Sequence, residues 1–195
     1  MFVERDVDRA TDRRFRRRIL SRVIDDSRRL EGILMSTMTR DVAYDIWRLG
    51  RLIERADMTT RVVGVRAAAL MAGGDEHHGA VHWLGVLRSL SALQMYQRAV
   101  RGPVEAREVV RFLLFHDRFP RSVAGALSEI EVSLDGKSGS DEVLAAVAGV
   151  RRALRSVPEE VDDGRFLDHA MEEVQLALGA VNDAIDQRYL RVGDT

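Results

Sequence analysis

The chain has 195 residues, enough for one domain with a sizeable core, and its 46% apolar content is typical of a globular protein rather than a disordered one. Its 30 basic and 31 acidic side chains are spread along the chain and leave a net charge of −1, which argues against a nucleic-acid-binding protein. The absence of cysteine excludes disulfides, thiolate metal sites and a cysteine nucleophile. No apolar run approaches the roughly 20 residues of a membrane span, so the composition predicts a soluble cytoplasmic protein without membrane contact.

The spacing of apolar residues predicts helices along the chain and no strand. The first helix runs from about residue 7 to 35 and is expected to direct Leu20, Val23, Leu30 and Leu34 inward. The second covers about residues 41–71, with Asp41 as its N-cap, and Gly73-Gly74 stops it.

A third helix is predicted over about residues 81–101, and because it is apolar nearly all round we expect it at the centre of a bundle. After the break at Gly102-Pro103 comes a short helix near 105–115, and 116–120 forms a tight corner. Three more apolar seams predict the remaining helices; they begin at Val123, Val143 and Leu167, with a polar loop at 135–140. The sequence therefore predicts one all-α domain over 1–195, a mostly antiparallel bundle of about seven helices.

The second predicted helix carries far more charge than a helix needs. Its apolar seam comprises Val42, Ile46, Leu49, Ile53, Ala56, Val63 and Ala67, with Thr60 in the same row. At about 100° per residue, Glu54 projects beside this seam on a flank that it shares with Gly50, Asp57 and Arg61. Arg51 and Arg55 fall on the far side, so the consecutive residues Glu54 and Arg55 require different partners.

Three interpretations of this flank are open: a solvated ion-pair surface, a partly buried network that fixes helix register, and an active carboxylate pair. Asp57 and Arg61 have the favourable acid-first spacing of four residues, which leaves Glu54 in need of another cation or a metal. We expect the Glu54 carboxylate to leave bulk solvent and to meet a cation from another stretch of chain or a second subunit. Gly50, one turn away, costs about 1 kcal/mol in a helix, which suggests a close approach to the backbone there.

Two further patterns are weaker. His78 and His82 have the four-residue spacing of a helical metal site, but Gly79 lies between them and we predict no metal or other cofactor. At the corner, Arg118, Arg121 and Ser122 could hold an anion at a helix start. We favour a structural corner there, with Asp117 as cap and Pro120 in the first turn. No nucleotide-binding loop, catalytic triad or nucleophile elbow occurs, so the sequence identifies no catalytic residue.

Several separated blocks, in order over about residues 20–190, resemble the alpha-E domain family of helical bacterial domains. The blocks are Ile46-Trp47-Arg48-Leu49-Gly50-Arg51, Glu54-Arg55-Ala56-Asp57-Met58-Thr59, Trp83 with 87–92, 112–114 with 118–123, and 183–185. The family is named for a Glu-Arg motif, whose positions Glu54 and Arg55 take. Its members resemble one another in being encoded with, or fused to, circularly permuted ATP-grasp proteins and transglutaminase-like peptidases.

The resemblance implies a non-catalytic or accessory domain of an ATP-grasp amide- or peptide-ligase system, with the Glu-Arg helix as ionic core or partner surface. An ATP-grasp-type protein, and less directly a transglutaminase-like one, would be its partner. The alternatives are an enzyme that uses Glu54 and Asp57 as acid–base or metal-binding carboxylates, and a homo-oligomeric bundle without a ligand.

One departure from the family affects the partner prediction. Residues 2–18 are charged and do not match, and no earlier Gly-Arg…Glu-Arg pattern precedes Leu49. The chain therefore resembles the later portion of a domain. We expect two copies to associate, or a missing front portion to pair with it.

Overall fold

A computed structural model describes residues 13–71, 79–157 and 164–190. Within these ranges 83% of the residues are helical and no strand occurs, which confirms the prediction of an all-α helical bundle. The helices are α1 (Arg13–Thr37), α2 (Val42–Met71), α3 (Gly79–Ser89), α4 (Leu93–Ala99), α5 (Ala106–Phe115), α6 (Val123–Leu134), α7 (Asp141–Arg155) and α8 (Gly164–Ile185), followed by a π-helical turn (Asp186–Leu190). None of these helices is long and apolar enough to cross a membrane.

The chain divides into two compact units, one ending at Tyr44 and the other beginning at Asp45. In the first unit, the predicted N-cap of α2 is confirmed: Asp41 Oδ1 accepts hydrogen bonds from the backbone N–H groups of Ala43 and Tyr44, at 3.0 and 3.2 Å. The predicted inward face of α1 is wrong for three of its four residues, since only Leu34 is half-buried. Leu20, Val23 and Leu30 are exposed, Leu30 to 57%, because no other described element of this unit covers that face.

The second unit holds the core, to which α2 to α8 all contribute buried side chains. Its largest buried side chains include Trp83 on α3 and Tyr96 on α4. Phe112 of α5 packs between aromatic neighbours: its ring lies 5.6 Å from that of Tyr96, edge to face, and is stacked 4.9 Å from that of Phe119. Aromatic pairs at these separations add to the apolar burial that holds α4, α5 and the following corner together.

The predicted third helix is two helices, which is why the described residues contain eight rather than about seven. Ser91 adopts a left-handed conformation with φ = 53°, and Ala92 N–H then donates to Leu87 O at 2.7 Å. That six-to-one hydrogen bond is the Schellman ending of a helix. This helix ending was not predictable, because serine occupies a position at which glycine is the usual residue.

Candidate functional site

Helix α2 positions the candidate site by burying one apolar seam. Leu49, Ile53, Ala56 and Val63 are all buried, as the periodicity predicted, and so are Thr60 and Ala67. The predicted seam extends too far towards the start of α2, because Val42 is exposed and Ile46 is only half-buried. Burial of this seam fixes the rotation of α2 and so determines which side chains face outward.

Other residues of α2 are tied to α6 and to the loops on either side of it in the second unit. Arg48 pairs with Glu129 of α6 at 3.6 Å, and Lys137 forms an ion pair with Asp45. The buried hydroxyl of Thr59 donates to the carbonyl oxygen of Arg121 at 2.7 Å. These contacts hold the Glu-Arg segment on a rigid support.

The outward face of α2 is a stripe of exposed residues, Gly50, Glu54, Met58 and Arg61. Among the residues that the structure describes, Glu54 has no hydrogen-bond or ion-pair partner. The prediction that its carboxylate leaves solvent is therefore wrong for the chain by itself. A Cβ added at Gly50 would meet no atom within 4 Å. The helix backbone at Gly50 is therefore as uncovered as the side chains of the stripe.

The other charged residues around the motif, unlike Glu54, interact with neighbouring groups. Arg61 Nε donates to Asp57 Oδ2 at 2.6 Å, and this hydrogen bond, with the attraction of the carboxylate, raises the pKa of Arg61. The guanidinium of Arg51 lies 4.8 Å from the ring centroid of Trp47, and both Arg51 and Arg55 are half-buried. Of the two carboxylates that share the flank, Asp57 has a cation and Glu54 has none in the described chain.

The corner before α6 is held by Ser122, which is fully buried. Its Oγ accepts a hydrogen bond from Gly125 N–H at 3.0 Å and lies within donating distance of the carbonyl oxygens of His116 and Phe119. Ser122, rather than Asp117, is therefore the N-cap of α6. The structure places Arg118 in solvent and leaves Arg121 half-buried. The Ser122 hydroxyl is occupied by hydrogen bonds within the corner. Of the three residues predicted to hold an anion, only the side chains of Arg118 and Arg121 therefore stay candidates.

The histidine pattern is only partly visible. His78 lies outside the described residues, and His82 is exposed on the first turn of α3. His169 lies 4.0 and 3.6 Å from Glu172 and Glu173, on a single exposed face of α8. No group of three or more histidine, aspartate and glutamate side chains in the described ranges could hold a metal ion.

Comparison with known proteins gives one result. Residues 2–190 match the family described as "Alpha-E: A predicted alpha-helical domain with a conserved ER motif". The chain belongs to the Alpha-E family. Because the match begins at residue 2, it includes the charged N-terminal stretch that the sequence analysis had set outside the resemblance. No curated protein and no solved structure matches the chain.

The Glu-Arg pair of this Alpha-E chain occurs twice in the sequence, at Glu4-Arg5 and Glu54-Arg55. The first pair lies outside the described residues. The second lies midway along α2, with its glutamate on the exposed stripe and its arginine half-buried. The structure thus separates the two residues of this pair by environment, as their helical positions predicted.

One charged residue of α2 is a site candidate that the sequence did not predict. Arg66 is 7% exposed and lies beside Trp83, with its guanidinium carbon 5.9 Å from the centre of the Trp83 ring. Its helical position alone does not distinguish it from Arg48 and Arg55, which are only half-buried on the same side of the helix, whereas Arg66 also packs beside Trp83 of α3.

Proposed function

We propose that this Alpha-E chain is a non-catalytic accessory domain of an ATP-grasp-type amide- or peptide-ligase system, and that it binds the ligase through the stripe around Glu54. The observation that supports this proposal is an exposed motif carboxylate without a partner in the described chain, next to a glycine with open space above it. The ligase itself comes from the family resemblance. A transglutaminase-like protein would be a second component of the same system.

The geometry favours a partner surface over the two other roles of the motif. An ionic core would bury Glu54 against a cation, whereas the side chain is exposed. A pair of acid–base carboxylates would be expected in a pocket that excludes water, with both groups available to the substrate. Asp57 is instead held by Arg61 at 2.6 Å on an outward helix face. A cationic group of the partner would complete the charge pairing that Glu54 lacks.

We expect Glu54→Gln to weaken ligase binding without altering the fold. A tagged chain produced in its native host should enrich an ATP-grasp protein, quantified by mass spectrometry, and Glu54→Gln should reduce that enrichment at least about tenfold, the typical cost of removing one partner of an interfacial charge pair. The thermal unfolding midpoint should not change, because Glu54 is exposed and has no hydrogen-bond or ion-pair partner in the described chain.

The matched control is Glu142→Gln, which removes an exposed glutamate from the first turn of α7. This variant should retain the ligase. Failure of the unmodified chain to enrich any ATP-grasp protein would contradict the proposal, and so would equal enrichment by Glu54→Gln.

Gly50 gives an independent prediction because its two expected effects have opposite signs. Gly50→Ala should stabilise the chain by about 0.5–1 kcal/mol, since Gly50 is exposed within a helix and a Cβ there meets no atom within 4 Å. The same methyl group should weaken capture of the ligase if the partner approaches the backbone closely. Urea unfolding followed by circular dichroism and the enrichment assay measure the two effects.

Gly179→Ala is the control for this pair of measurements. Gly179 is also exposed within a helix, on α8, and a Cβ there also meets no atom within 4 Å. It should stabilise the chain to a similar degree and leave ligase capture unchanged. Equal capture by the two alanine variants would show that no partner backbone packs on Gly50.

A further inference from the structure

Arg66 is a buried cation without a counter-ion among the described residues. It is 7% exposed, and neither its Nε nor its Nη2 has a hydrogen-bond partner in the part of the chain that the structure describes. Its contact with the Trp83 ring, at 5.9 Å, compensates for only part of the hydration free energy that the guanidinium loses on burial. Burial accordingly lowers the pKa of Arg66. An unpaired guanidinium in this position is costly unless an anion from outside completes it.

Arg66 lines a groove between α2 and α3 of about 610 Å³. This α2–α3 groove is formed mainly by apolar groups of Met58, Val62, Val65, Ala69, Gly85 and Val86. Its volume lies within the range of small-molecule sites, roughly 300–1,000 Å³. Met58 is 48% exposed and Val65 more so, which leaves apolar surface available to a ligand.

Among the described residues that line the groove, the charged side chains favour an anion. The other polar residues that line it are Arg61, His82 and Ser89, and none of the described lining residues is acidic. Arg61 is already paired with Asp57 at 2.6 Å, and His82 is exposed. Arg66 therefore lines a mainly apolar groove and has two buried hydrogen-bond donors, Nε and Nη2, without a partner among the described residues.

We propose that the α2–α3 groove binds a small amphipathic carboxylate, with the carboxylate on the Arg66 guanidinium and an aliphatic or aromatic body along Met58, Val62 and Val65. A carboxylate matches the planar fork of a guanidinium and accepts two parallel hydrogen bonds from it. One buried cation also neutralises one negative charge, as on a carboxylate, whereas a doubly charged phosphate would leave one charge unpaired. An apolar ligand body would match the apolar lining of the groove.

Octanoate is a suitable probe because 1-octanol has the same chain without the charge. Isothermal titration calorimetry should show octanoate binding to the unmodified chain about ten- to a hundredfold more tightly than 1-octanol, the usual effect of charged hydrogen bonds. Arg66→Met should remove this difference. The variant should still fold, because replacing a buried unpaired charge with an apolar side chain of similar length is neutral or stabilising.

A second pair of variants tests the same site without touching Arg66. Ala69 is exposed, lines the groove and lies three residues beyond Arg66 on α2. Ala69→Glu should supply an internal carboxylate and lower octanoate affinity about tenfold, whereas Ala69→Gln, of nearly equal size, should change it little. The glutamine variant therefore separates charge competition from steric filling.

Equal affinities for octanoate and 1-octanol, no binding of octanoate, or unchanged octanoate binding in Arg66→Met would each overturn the proposal. The first of these would indicate an apolar docking groove rather than an anion site. Glu54→Gln should leave octanoate binding unchanged within about twofold, because Glu54 does not line the groove. The carboxylate site and the proposed ligase contact can therefore fail independently.

Discussion

Gly125→Ala is expected to destabilise the chain by about 2–4 kcal/mol, because the backbone of the corner occupies the space that a side chain needs. A Cβ at this position would lie 2.4 Å from the carbonyl oxygen of Phe119 and 3.2 Å from that of Asp117. It would also lie 2.8 Å from Ser122 Oγ, the atom that caps α6. The substitution must therefore displace backbone and break the cap at once.

Urea unfolding followed by far-ultraviolet circular dichroism measures this effect. Gly179→Ala is again the comparison, because the same chemical change at an open helical position should raise stability. The corner also holds the carbonyl of Arg121 against Thr59 of α2, so its displacement should loosen the support of the Glu-Arg segment. Gly125→Ala variants as stable as the parent chain would refute this account of the corner.

The sequence predicted most element boundaries because proline, glycine and polar clusters mark them clearly. The short helix predicted near 105–115 is α5 (Ala106–Phe115), and the loop predicted at 135–140 separates α6 from α7. The helix break at Ser91 and the cap at Ser122 were missed for a common reason. In both cases the decisive feature is a backbone conformation or a hydrogen bond, and several residue types are compatible with it.

The candidate site was predictable only as far as helix geometry determines it. The seam through Leu49, Ile53 and Ala56 is buried, and Glu54 and Arg55 point in different directions, as the 100° step requires. The angle of about 100° per residue does not determine whether a flank of the helix packs on another helix or faces solvent. Glu54 was expected to be buried and is exposed, whereas Arg66 is buried beside Trp83 of α3.

The apolar face of α1 illustrates the same limit on the scale of a whole helix. Leu20 and Leu30 have the spacing of a core-facing seam, yet both are exposed in the first unit. A periodic pattern predicts that a face is suited to burial without identifying what buries it. Association of two copies stays a prediction for this chain, and its oligomeric state in solution is the measurement that tests it.

Trp83→Ala is expected to have the largest effect, a loss of about 3–5 kcal/mol in the free energy of unfolding. Trp83 is 2% exposed and belongs to the core of the second unit, so its removal leaves a large cavity. Trp47, the other tryptophan of the sequence, is half-buried beside Arg51, and Trp47→Ala should cost distinctly less. Circular dichroism is the appropriate signal because each variant removes half of the indole fluorophores.

The same pair of variants links the core to the α2–α3 groove. The Trp83 ring lies beside the Arg66 guanidinium at 5.9 Å, so its loss should let that side chain leave the position in which it faces a ligand carboxylate. Octanoate affinity should therefore fall in Trp83→Ala, measured well below its unfolding transition, and persist in Trp47→Ala. Trp83→Phe, which keeps an aromatic face under the guanidinium, should retain most of the affinity while still losing stability. Equal octanoate affinity in Trp83→Ala and the parent chain would mean that Arg66 is positioned by its own helix rather than by the core beneath it.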